Sequence, residues 1–132
     1  MRIWAKAAER MAAMRRSLPK NRECTRWFSA AQEERVANLI GGMRSPNSGA
    51  GNFAKGDVCT RHMLVECKTP MSPKGSVSVK REWIDKNAAE AFGRRIPNHA
   101  LAICFEPGGE NWFVIGEGLF KWLCEKLDEE DC

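Results

Sequence analysis

Asp57, Glu66 and Lys68 bring two carboxylates and an ammonium close together in this chain. They sit on two short apolar runs, Lys55-Gly56-Asp57-Val58-Cys59 and Leu64-Val65-Glu66-Cys67-Lys68-Thr69. In a strand over residues 63–69, Met63, Val65 and Cys67 point to one face and Leu64, Glu66 and Lys68 to the other, so one face is core and the other carries charge. A two-residue turn at Arg61-His62 sets Asp57 opposite Glu66, with Cβ atoms about 5 Å apart. Two carboxylates so placed repel, and a divalent cation between them turns the repulsion into affinity. Hard oxygen ligands of this kind suit Mg²⁺ or Mn²⁺; Mg²⁺ takes one or two carboxylates, keeps several waters and leaves positions for phosphate oxygens. Lys68, on the same face, brings positive charge to where a pentacoordinate phosphate accumulates negative charge. An ordinary polar surface hairpin is the other reading of these residues, and Arg-His lacks the preference for positive φ that an Asn-Gly turn would supply.

The chain around these groups reads as a mixture of helix and strand. Trp4, Ala7, Ala8, Met11, Met14 and Leu18 recur at helical spacing among Arg2, Lys6, Arg10, Arg15 and Arg16, so residues 2–18 read as a basic amphipathic helix ended by Pro19. Its expected role is a cap over the sheet or a dimer contact, ahead of a DNA-binding one. Ser29-x-x-Gln32 has the form of a capping box and predicts a helix running to Ile40, stopped by Gly41-Gly42, with Val36, Leu39 and Ile40 as its apolar stripe. Glu33 and Glu34 lie about 100° apart around that helix, so only one can point squarely at the hairpin. Residues 43–45 read as a short strand. The small, turn-forming residues that follow could let the chain approach a phosphate backbone, or could be a slack connection.

After the hairpin, Pro70, Pro73 and Gly75 make a loop from which Lys74, Lys80 and Arg81 could contact phosphates. Residues 80–94 predict a helix with Trp83, Ile84, Asn87, Ala88 and Ala91 on one broad side, loosened at its end by Gly93. The near-continuous apolar run 99–105 suits a central strand covered on both faces. Pro107-Gly108-Gly109 is a strong turn; residues 111–115 return as a strand, and residues 119–127 close the chain as a helix with Leu119, Phe120, Leu123 and Leu127 inward. This order predicts an α/β fold, a mixed sheet of four to five strands flanked by helices.

Gly56-Asp57 followed by Glu66-Cys67-Lys68 resembles the PD-(D/E)XK nuclease signature, with Gly in place of the Pro before the Asp. The likeness is greatest to the archaeal-type Holliday junction resolvases and their phage relatives, and it spans about residues 29–122. Around the signature, Glu34-Arg35-Val36-x-x-Leu39 matches the helix that carries a catalytic Glu in that family. Arg44 and the Ser/Gly-rich loop Ser45-Pro46-Asn47-Ser48-Gly49-Ala50-Gly51 match its basic residue and small loop, and residues 78–83 and 100–105 match its basic-polar stretch and the strand after it. The resemblance implies a restriction-endonuclease-like core and Mg²⁺- or Mn²⁺-dependent hydrolysis of DNA. The implied roles are Asp57, Glu66 and the Cys67 backbone carbonyl as metal ligands, Glu34 placing a second ion or its water shell, and Lys68 orienting the attacking water and offsetting charge. Arg44, Ser48, Asn52, Lys55, Lys74, Lys80 and Arg81 are the expected DNA contacts. A four-way or otherwise branched junction is the implied substrate, cut by a homodimer whose symmetry matches the two related phosphates. A nuclease of the same fold directed to ends, nicks or a specific sequence, and a non-catalytic nucleic-acid-binding accessory protein, are the alternatives.

The 132 residues suit one nuclease domain, with residues 1–26 a basic helical extension that has no counterpart in the family. The net charge of +4 is uneven: residues 1–68 hold 13 Lys/Arg against 6 Asp/Glu, the remainder 8 against 11, so the motif lies in the basic half. A positive field there suits a phosphodiester backbone but cannot choose DNA over RNA. The six Cys follow no secretory pattern and form no Cys-x-x-Cys or Cys/His ladder, so they read as small core residues. No run approaches the roughly 20 apolar residues of a membrane span, and the cytoplasm of a bacterial, archaeal or phage-infected cell is the expected place.

Overall fold

The hairpin becomes the middle of a sheet because neighbours claim both of its edges. In the computed structural model, which describes residues 6, 9, 10, 23–45 and 57–130, the order is α1 (Glu23–Ile40), β1 (Met43–Arg44), β2 (Asp57–Cys59), β3 (Met63–Lys68), α2 (Arg81–Gly93), β4 (Asn98–Ile103), β5 (Trp112–Val114) and α3 (Glu117–Glu130). The five strands form one mixed sheet in the order β1-β2-β3-β4-β5. Only β3 and β4 run parallel, as a crossover through a helix requires; the other pairs are antiparallel. The protein is therefore α/β, with a five-stranded mixed sheet flanked by helices.

Strand alternation sorts the faces. Val58, Val65, Cys67, Ala100 and Ala102 pack with Val36 and Ala37 of α1. The intervening residues, Asp57, Leu64, Glu66, Lys68 and Leu101, face the opposite side. There α2 lies over the sheet, its Asn87 donating to the Leu64 carbonyl at 3.4 Å and the Ala100 carbonyl at 3.0 Å. The charged face of β3 is thus covered: Leu64, Val65, Glu66 and Cys67 are all buried. β4 is covered on both faces as its apolar run predicts.

Both sheet-covering helices end in the same hydrogen-bonding pattern. Gly41, at φ 67°, follows α1, and Gly42 N–H bonds the Ala37 carbonyl. At the end of α2 the left-handed position is taken by Arg95 (φ 58°), with Arg95 N–H bonding Phe92 and Ile96 N–H bonding Ala91. The end is set there rather than by Gly93.

Two sequence expectations change. α1 starts at Glu23, ahead of the Ser29 box, and Gln32 faces the sheet instead of capping: its Nε2 lies 3.1 Å from the Lys68 and Ala102 carbonyls and from Asn111 Oδ1. Those buried acceptors are worth more to the amide than an exposed helix start. α3 forms, but its apolar stripe is not inward, since none of its residues is buried. Most of the 2–18 helix and all of loop 46–56 lie outside the described residues. Among the described residues no helix is long and apolar enough to cross a membrane.

Candidate metal and phosphate site

The β2–β3 turn fixes the site. Thr60 N–H bonds the Met63 carbonyl at 2.9 Å, and Thr60 Oγ1 accepts from the backbone N–H of His62 (3.2 Å) and Met63 (3.1 Å). Arg61 and His62 keep negative φ. The threonine hydroxyl therefore does what a positive-φ pair does in other hairpins. The register that results pairs Asp57 with Glu66, Val58 with Val65 and Cys59 with Leu64.

Asp57 is 3% exposed and Glu66 8%. Glu66 Oε1 lies 3.4 Å from Lys68 Nζ, and the ammonium sits 4.6 Å from the centre of the Trp83 ring on α2. Lys80 Nζ approaches the same ring at 5.5 Å. The second carboxylate oxygens, Asp57 Oδ2 and Glu66 Oε2, are buried without a hydrogen-bond partner. Two orphaned carboxylate oxygens on directly opposed residues are costly in a low-dielectric interior unless a proton or a cation compensates them.

A third carboxylate supplies part of that compensation. Burial, then a hydrogen bond and charge repulsion from Glu90 of α2, then Glu66, push the Asp57 carboxyl up to about 8, against a smaller lowering by Arg94. Asp57 therefore keeps its proton at neutral pH in the metal-free protein and shares it with Glu90. Arg94 is drawn in beside them, with Nη1 3.6 Å from Glu90 Oε1 and 3.2 Å from Ser45 Oγ, and Nη2 3.3 Å from Cys59 Sγ. Sequence reasoning missed Glu90 and Arg94. Their signal was present: Asn87, Glu90, Ala91 and Arg94 recur at helix spacings of three and four and share one side of α2.

The carboxylates of α1 behave differently. Glu33, not Glu34, turns inward and binds Arg44 (Oε2 to Nη2 2.9 Å, to Nε 3.0 Å). Glu34 has a side chain 65% exposed and reaches only the outer nitrogen of Arg44, at 3.9 Å. α1 packs on the Val58–Val65–Cys67 face, so the sheet stands between these two carboxylates and the Asp57–Glu66 pair. The structure does not bring Glu34 to the site. Burial, followed by the negative charges of Glu33 and Asp57, pushes the Cys67 thiol above its ordinary range. It stays a neutral core group, and Cys59, Cys67, Cys104 and Cys124 are free thiols.

The fit to a divalent cation is specific about which atoms could serve. Asp57 Oδ2 and Glu66 Oε2 are buried acceptors without a hydrogen-bond partner, on residues paired directly across β2 and β3. Lys68 C=O accepts from Cys104 N–H on the β4 side. The Cys67 carbonyl, one residue earlier, is therefore directed to the β2 side, toward Asp57. Among the described residues no three His, Cys, Asp or Glu side chains are arranged as a complete ligand set. A cation here would be held by two carboxylates and completed by water or phosphate oxygens, the habit of Mg²⁺.

The expected phosphate contacts divide. Lys68 and Lys80 come together over Trp83. Lys74 is exposed on a loop pinned by its own N–H to the Phe105 carbonyl. Arg81 is almost fully exposed and 3.5 Å from Asp85, and Arg44 is held by Glu33. Ser48, Asn52 and Lys55 lie outside the described residues. No family model, no curated protein and no solved structure matches this chain.

Proposed function

We propose that this protein is a metal-dependent endonuclease that hydrolyses phosphodiester bonds in DNA, built on a restriction-endonuclease-like core. The observation that carries the reading is the opposed, buried Asp57–Glu66 pair with one orphaned oxygen on each residue and Lys68 beside it. A structural hairpin has no use for that arrangement, which stays costly unless a proton or a cation compensates it.

In this reading Asp57 and Glu66 hold Mg²⁺ or Mn²⁺ with the Cys67 carbonyl. When bound, the ion lowers the pKa of a water and polarises the phosphate. Asp57 must give up its proton for this, and Glu90 with Arg94 is placed to accept and stabilise it. Lys68 is held in two directions, by Glu66 and by the Trp83 ring, so its ammonium is fixed before substrate arrives and offsets charge on the transferring phosphoryl group. Glu90, on the correct face, takes the third-carboxylate role that the resemblance gives to Glu34. Lys74, Lys80 and Arg81 follow Lys68 around the same end of β3 and α2 and supply backbone contacts. A branched junction as substrate and a homodimer as the working form complete the proposal.

The test is metal uptake together with cleavage. Isothermal titration with Mn²⁺ should show one site per chain in the wild type and none in Glu66→Gln. A panel of four-way junction, Y-fork, nicked duplex and single strand should be cut only with metal. Absence of Mn²⁺ binding at millimolar concentration would leave the Asp57–Glu90 pair as a protonated structural contact and make the protein a nucleic-acid-binding accessory.

A further inference from the structure

On the α2 face of the sheet a row of partnered residues, Lys68, Ile103 and Trp112, crosses β3, β4 and β5. The next pair on that face, Leu101 with Val114, lies about 7 Å along the strands. There α2, β4 and β5 leave a cavity of about 90 Å³, lined by Ile84, His99, Leu101, Val114, Ile115 and Gly116. Apart from Lys68, none of these residues takes part in the cleavage chemistry.

The exposed ring and the cavity suit the same kind of ligand. Trp112 is 56% exposed on an edge strand, and an indole left in water there offers a large flat surface that another π-face can cover. The cavity has room for more than one water, but His99 is the only lining residue with a polar side chain, so water finds too few partners in it. A group that is apolar on its faces and polar at its edge matches that lining. Charge selects what carries the group. Lys68 and Lys80 meet over the Trp83 ring, and Lys68 stands two strand spacings, about 10 Å, from Trp112. Ammonium groups at that distance from a flat aromatic surface suit a phosphate and the base it carries.

We propose that this face binds unpaired bases of the substrate strand next to the phosphate held at Lys68. One base stacks on Trp112, and a neighbour sits in the cavity against Leu101 and Val114 with its polar edge toward His99. The inference rests on the nucleic-acid reading above and adds to it: the branch or fork that the site takes has single-stranded bases on the α2 side. Bases inside a duplex stack on one another and present no free face. The surface therefore selects by pairing and tolerates sequence, since every base has a π-face.

Fluorescence anisotropy on the full chain, with Ca²⁺ in place of Mg²⁺, reads binding apart from cleavage; the probes are an oligothymidylate and a duplex of the same length. Trp112→Ala should weaken oligothymidylate binding roughly five- to a hundredfold, the range for one lost base–aromatic stack, with duplex affinity and Mn²⁺ uptake unchanged. Trp112→Phe, which keeps a ring, should restore most of the affinity, and Val114→Phe, which fills the cavity, should lower it. Wild-type affinity of either Trp112→Ala or Val114→Phe for oligothymidylate, or equal losses on both nucleic acids, overturns the inference. Mn²⁺ uptake with duplex cleavage would then leave the nuclease reading standing. A wild type that binds neither nucleic acid overturns both.

Discussion

Replacing Asp57 by Asn should make the metal-free protein more stable at alkaline pH while removing its activity. The wild-type carboxyl titrates near 8 in the fold against 3.8 in the unfolded chain. Below about pH 4 both states hold the proton and nothing is lost. Between pH 4 and 8 the unfolded state releases it while the folded state retains it, so folding takes up a proton and stability falls as the pH rises. Full ionisation corresponds to at most about 6 kcal/mol at roughly 1.4 kcal/mol per tenfold. Because the proton is shared with Glu90 and Arg94 lies close, a loss on the order of 3 kcal/mol by pH 8 is the working expectation. Asn carries no titrating proton and can donate to Glu90 permanently. Urea unfolding in a chelator at pH 4.5, 6, 7 and 8 should therefore show a declining wild-type curve and a flatter variant, the two diverging in favour of Asn. Saturating Mg²⁺, at about 100 times its dissociation constant, should return about 2.7 kcal/mol to the wild type and nothing to the variant. A wild type whose stability ignores pH across this window, or an Asn variant less stable than wild type at pH 8, would refute the buried, proton-sharing carboxyl. A variant that still cleaves DNA would refute its role as a metal ligand.

Lys68→Ala should lower turnover by roughly two to three orders of magnitude with little change in DNA affinity, because the ammonium acts on charge that develops in the transition state; single-turnover cleavage and binding assays separate the two, and weakened binding at unchanged turnover would make Lys68 a plain phosphate contact. Arg95→Gly should stabilise the protein by about 0.5–1 kcal/mol, or about 3–5 °C in a thermal melt, by relieving a left-handed non-glycine at the end of α2; a lower melting temperature would show that the Arg95 side chain contributes more than its backbone costs. The substrate proposal predicts tighter binding to a four-way junction than to linear duplex at both low and high salt, with both affinities falling as salt rises; a monomer that cuts linear duplex as readily would remove the resolvase reading and leave the cleavage chemistry.

The hairpin register was legible because period-two alternation at residues 63–68 allows only one set of partners to share a face. Its turn was legible in place but not in mechanism. Thr60, just before the Arg-His pair, carries the hydroxyl that accepts the turn's N–H groups, and attention to the two central residues alone passes over it. The end of α1 could be read from Gly41-Gly42, whereas its start could not. Ser29-x-x-Gln32 satisfies a local rule, but Gln32 finds buried acceptors on β3, β4 and Asn111, from 36 to 79 residues away in sequence. Local pattern has no access to partners at that distance.

The same limit explains the third carboxylate. Glu33, Glu34 and Glu90 are equally plausible as isolated residues, and what ranks them is which helix covers the charged face of the sheet. That is decided by volume. Val36 and Ala37 of α1 fit the Val58–Val65–Cys67 side. On the other side, the small Ala91 and the hydrogen-bonding Asn87 let α2 come close over Leu64 and Leu101 without displacing the carboxylates between them. Once α2 takes that place, its next turn carries Glu90 and Arg94 to Asp57. The helix that closes the core is therefore also the helix that brings the third carboxylate and its arginine to the site. A volume increase at Ala91 would be felt in both the packing and the protonation of Asp57.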